Sequence, residues 1–169
     1  MTAALKLTGL ILLLSAGGYA VYKRVISANN RISFLRYMIS DIEFLLNEIT
    51  FLNSTVGKAL ERLKETGTKN ADLYGKILKE TGAGLTLYDS FLGSFDKIRC
   101  PDARDFEIVA GVFAVLGKTD FEGQRRSLEG AEELLKARLS QAEAYRREEL
   151  KAKCATLLFA FVLIGIILL

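Results

Sequence analysis

Two runs of sixteen residues without a charged side chain, LTGLILLLSAGGYAVY at 7–22 and CATLLFAFVLIGIILL at 154–169, constrain this chain more than any other feature. A helix rises about 1.5 Å per residue, so each run covers roughly 24 Å of a hydrocarbon core about 30 Å thick. Local thinning of the bilayer and snorkelling of flanking lysines close that gap. Both runs are apolar on every helical face, whereas a helix packed into a soluble core needs only one apolar stripe. Both are therefore expected to be transmembrane helices.

The flanking charges give an orientation. Lys23 and Arg24 follow the first run, and Arg146, Arg147, Lys151 and Lys153 precede the second. The positive-inside tendency then places residues 23–153 in the cytoplasm. A cleavable signal sequence is the rival reading of the first run, because Gly18-Tyr19-Ala20 resembles a small-x-small cut site. Lys23 and Arg24, just beyond that cut, resist export, and export would leave the second basic cluster on the wrong side. The expected organisation is an N-terminal transmembrane helix and junction at 1–26, a cytoplasmic helical domain at 27–153 and a C-terminal transmembrane helix at 154–169.

Within the domain every readable period is helical. Asn29-Asn30 are suitable caps for a helix over 31–51, whose Ile32, Leu35, Ile39, Ile42, Leu46 and Ile49 alternate steps of three and four. Such a seam needs a long partner, and the last helix is the natural one. Ser54 is positioned to cap a second helix that stops at Gly67, and a third runs from about Asn70 to Glu80. Thr86 with Asp89 opens a fourth carrying Phe91, Phe95 and Ile98; Asp102 opens a fifth that ends at Gly117; and Asp120 caps a long helix over 121–153. No alternating strand pattern of useful length intervenes. The fold class expected is all-α, a bundle of about six helices flanked by the two membrane spans.

The chemistry-bearing residues argue against catalysis. The chain has no histidine, the commonest general base and metal ligand at neutral pH. Glu132-Glu133 and Glu148-Glu149 are adjacent pairs pointing to different azimuths of a helix, as solvated faces do. Cys100 and Cys154 make no disulfide framework, and a cytoplasmic domain keeps them reduced. Gly117-Lys118-Thr119 imitates the end of a phosphate loop, but Val112 stands where that loop needs glycine. Gly82-x-Gly84 likewise meets Leu87 where a dinucleotide fingerprint needs glycine. All 20 acids and all but Lys6 of the 23 Lys and Arg lie between Lys23 and Lys153, intermixed, so no basic stripe suggests nucleic acid. No catalytic residue, cofactor site or metal site is expected, and the protein reads as a non-enzyme.

One short element stands out, LG-x-x-D-x-x-x-Q at Leu116, Gly117, Asp120 and Gln124. Gly117 permits the left-handed conformation that ends one helix, Asp120 accepts N–H bonds at the start of the next, and Gln124 lies one turn further on the same side. This corner is either structural only or a surface that presents Asp120 and Gln124 to a partner.

With Glu48-Ile49-Thr50-Phe51, Ser54, Ala59-Leu60 and Asp105-Phe106-Glu107-Ile108-Val109, that element resembles the stage III sporulation protein AB family of endospore-forming bacteria, as does the plan of span, helical domain, basic flank and span. The family commonly has a Thr-Pro-Leu-Pro type turn where this chain has Ser54-Thr55-Val56-Gly57. It is in turn similar to the cytoplasmic domain of type II secretion F proteins, the inner-membrane platform beside a secretion ATPase. The resemblance implies a type II secretion F-like bundle and a non-enzymatic platform in the transenvelope complex between mother cell and forespore. It further implies a place in the mother cell membrane facing the forespore. Its expected partners are the lipid bilayer, the cytoplasmic ATPase (stage III sporulation protein AA) and other stage III proteins, and a homo-oligomer is compatible with it. Glu48, Phe51, Gly117, Asp120 and Gln124 are the candidate partner motif. A small membrane sensor and a pore built from the spans, for which Ala16 and Ala20 give one small-xxx-small pair, are the alternatives.

Overall fold

The computed structural model describes the backbone of residues 2–95 and 102–168, with side chains at 19, 22, 23, 26–95, 102–149, 151–153 and 156. Among these residues there are six helices and no strand: α1 (Thr2–Thr50), α2 (Val56–Glu65), α3 (Ala71–Gly82), α4 (Leu87–Ser94), α5 (Ala103–Val115) and α6 (Phe121–Leu168). The break expected at Asn29-Asn30 does not occur, and α1 passes through it. Two asparagines cost a few tenths of a kcal/mol each in a helix, less than the penalty of nucleating a new one, and no Pro or Gly stands between Tyr19 and Thr50 to stop it.

By contact the chain divides into two compact units, residues 30–141 and residues 1–29 together with 142–169. Among the described residues no helix is long and apolar enough to cross a membrane. The two expected spans fall mostly on side chains outside those residues, as do Ile98, Cys100 and Pro101.

The bundle of residues 30–141 is built on a wider seam than the sequence suggested. On α1, Phe34, Met38 and Leu45 are buried alongside Ile32, Leu35, Ile39, Ile42 and Ile49. Leu60 and Leu63 of α2, Leu73 and Ile77 of α3, Val109 and Phe113 of α5, and Leu128 and Leu135 of α6 complete the apolar interior. An aromatic cluster sits within it. The Phe91 ring stacks on Phe113 with centroids 4.3 Å apart, Phe95 and Phe106 approach at 5.0 Å, and Phe34 meets Phe95 edge-on at 6.0 Å, which ties α1, α4 and α5 together.

Three of the caps are as expected, that of Asp120 on α6 among them. The Thr86 hydroxyl oxygen accepts from the Asp89 N–H (3.1 Å) and the Asp102 carboxylate from the Arg104 N–H (3.0 Å). At α2 the cap is Thr55 and not Ser54, because the Ser54 hydroxyl is engaged by Glu48 at 2.8 Å.

Asp41, on the inner face of α1, is 2% exposed. Its carboxylate accepts from Asn70 Nδ2 (2.6 Å) and the Tyr74 hydroxyl (2.7 Å), which spends the Asn70 side chain that would otherwise cap α3. Burial raises the Asp41 carboxyl above its ordinary value, against the pull of those two donors. Stability contributed by a raised carboxyl is complete below an unfolded value of about 3.9 and is lost as pH rises through the folded value. Asp41→Asn keeps an oxygen for both donors and has no charge to desolvate. Thermal unfolding at pH 4 and pH 7.5 is expected to show the wild type losing ground to the variant as pH rises; parallel curves would contradict the assignment.

Candidate functional site

The five candidate motif residues gather at two turns. Glu48 and Phe51 close α1, while Gly117, Asp120 and Gln124 form the α5–α6 corner. Ile49, Asn53, Ser54 and Val56 line a shallow cleft whose other wall is Phe121 and Gln124, so the two turns adjoin.

Glu48, 6% exposed, is the peg of the first turn. Its carboxylate accepts from the Ser54 hydroxyl and from Arg62 Nη1 at 2.9 Å, and its carbonyl oxygen accepts from the Ser54 N–H at 3.0 Å. The chain reverses between them through Asn53, whose φ of +47° is one that asparagine tolerates better than most residues. A turn pinned this way holds Phe51 and Leu52 outward, 78% and 59% exposed.

The second corner is held by its own side chains. Gly117 adopts φ +76°, and its N–H donates to Gln124 Oε1 at 3.4 Å, while Gln124 Nε2 donates to the Thr119 carbonyl at 2.9 Å. Asp120 Oδ1 accepts the Gly123 N–H at 3.0 Å. Gly117, Asp120 and Gln124 therefore shape the corner. The apolar surface beside them belongs to Phe121, 41% exposed, which the sequence reading did not single out.

Gly123 is constrained in turn. A Cβ there would sit 2.7 Å from Asp120 Oδ1 and 3.0 Å from the Thr119 side chain. Ordinary helix propensity favours alanine over glycine by about 1 kcal/mol. Here Gly123→Ala is expected to destabilise by about 1–2 kcal/mol, because it evicts the cap. Chemical unfolding checks the sign, and a stabilised variant would show that the cap is not held this way.

Away from the corners, 17 residues along α1 from Glu48 and 17 along α6 from Phe121, lies an ion network that sequence reasoning missed. Asp105 of α5 is 0% exposed and accepts from Arg31 Nε (2.7 Å) and Nη2 (3.1 Å) on α1 and from Arg138 Nε (2.6 Å) on α6. Asp102 meets the same two guanidiniums at 3.1 and 2.9 Å. Partial burial pushes the Asp102 carboxyl up, but the Arg104 N–H and the charges of Arg31 and Arg138 outweigh it and hold the group below its usual range. The hydrogen bond to Asp105 raises Arg138 further. Glu43 of α1 and Lys136 of α6 add a more exposed pair at 2.9 Å. Two acids and two arginines balance, so three helices are locked together without net buried charge.

Among the described residues no group of His, Cys, Asp or Glu could hold a metal ion. Of the acid pairs noted in the sequence, Glu132 pairs with Lys136, and Glu149 with Lys153 and the Tyr145 hydroxyl.

Residues 6–169 match the model of the family described as Stage III sporulation protein AB. No curated protein and no solved structure matches the chain.

Proposed function

The chain belongs to the stage III sporulation protein AB family, and on that premise we propose that it is a non-enzymatic, membrane-anchored platform of a sporulation complex. Its bundle stands in the mother cell cytoplasm, held by the uncharged runs 7–22 and 154–169, and serves as a docking body for the cytoplasmic secretion-type ATPase, stage III sporulation protein AA. The observation that carries this reading is the paired corner. It presents Phe51, Leu52 and Phe121 to solvent on turns held by the Glu48–Ser54 and Gly117–Gln124 hydrogen bonds. An exposed aromatic on a rigid support is the usual anchor of a protein interface. A platform has to transmit force without deforming, and the Arg31–Asp105–Arg138 lock suits that task. The absence of histidine and the engagement of the buried acids in ion pairs and hydrogen bonds support a role without chemistry.

The direct test is titration of the purified ATPase against the full-length chain in detergent micelles. Saturable binding at micromolar concentration or tighter is expected. No binding at tens of micromolar would remove the ATPase from this account.

A further inference from the structure

The bundle and the unit formed by 1–29 with 142–169 differ in charge. Residues 30–141 hold slightly more acids than bases, whereas 19–29 and 142–153 carry six Lys and Arg against three Glu. Of those acids, Glu149 is already occupied by Lys153 at 2.7 Å and by the Tyr145 hydroxyl at 3.0 Å. Lys23, Arg146, Arg147 and Lys151 are exposed and form no ion pair among the described residues. On α1 an aromatic stripe is open. Tyr19, Tyr22 and Ile26, with Lys23, fall at i, i+3, i+7 and i+4 of α1, and the two tyrosines are 69% and 63% exposed. The stripe continues from the uncharged run 7–18 into the basic residues. Aromatic rings with polar tips followed by long cations match, in order, the ester layer and the phosphate layer of a bilayer.

We propose that Lys23, Arg146, Arg147 and Lys151 form a binding surface for the headgroups of anionic phospholipids, with Tyr19 and Tyr22 fixing its depth. The proposal rests on the membrane-anchored reading above. A basic residue beside an anionic surface gains attraction that salt screens, so the preference is for the lipid's charge.

The test reconstitutes the full-length chain into nanodiscs of phosphatidylcholine alone and of phosphatidylcholine with phosphatidylglycerol in equal parts. Native mass spectrometry then reads the lipids retained by the protein. Several-fold enrichment of phosphatidylglycerol is expected, falling as salt is raised. It should be lost in R146Q/R147Q/K151Q and kept in R146K/R147K, which preserves the charge. Incorporation into both discs without enrichment, or enrichment that survives the glutamine variant, would overturn the lipid preference and leave the anchor standing. Failure to enter either disc would overturn the anchor and the preference with it.

Discussion

Asp105→Ala is expected to destabilise the protein by about 3–5 kcal/mol, the cost of leaving buried charges without their partner. Asp105 receives three N–H donors from two arginines that are only 23% and 19% exposed. Its removal leaves both guanidiniums to the half-buried Asp102, at 3.1 and 2.9 Å. Neither arginine can turn wholly to water without disturbing α1 or α6. In a domain of this size the loss corresponds to a fall of roughly 10 °C or more in Tm, which circular dichroism of the full chain in micelles reads directly. Adding Arg138→Ala is expected to cost much less than the sum of the two single changes, since each removes what the other needs. A change below about 1 kcal/mol would mean the cluster is solvated and locks nothing. The network also sets an acid limit. The lowered Asp102 carboxyl contributes stability above its unfolded value of about 3.9, and that contribution disappears as pH falls through the folded one.

The second large effect concerns the corner. F51S/F121S removes two exposed rings that touch none of the ion network, so Tm is expected to hold within a degree or two while affinity for the ATPase drops by at least about thirtyfold. Aromatic hot spots cost more than about 1 kcal/mol each when truncated, and two of them multiply. Unchanged affinity with unchanged Tm would mean that the partner docks elsewhere on the bundle.

The all-helical class was legible because apolar residues recur at helical spacing in every segment and caps such as Thr86, Asp102 and Asp120 stand at the starts. Gly67, Gly84 and Gly117 marked turns, and all three take positive φ. The extent of α1 was not legible. Asn29-Asn30 carries a cap signal, and only tertiary context decides whether a helix already running will stop there. Nor was the Arg31–Asp105–Arg138 lock, since its members are 74 and 33 positions apart and no local pattern pairs them. A usable signal existed all the same. Asp41 and Glu48 continue the phase of Phe34, Met38 and Leu45, and Asp105 that of Val109 and Val112, so an acid at an apolar position announces a buried partner. Of the candidate motif, Gly117, Asp120, Gln124 and Glu48 shape the turns, and Phe51 is its exposed apolar member, beside Leu52 and Phe121.

The claim on which the account depends is that residues 7–22 and 154–169 hold the bundle to a bilayer. Fractionation of sporulating cells lysed without detergent tests it most directly. The account predicts that the full-length chain sediments with membranes, stays there through high salt and alkaline carbonate, and is released by detergent. Its recovery in the aqueous supernatant before any detergent is added would contradict the anchor and, with it, the platform.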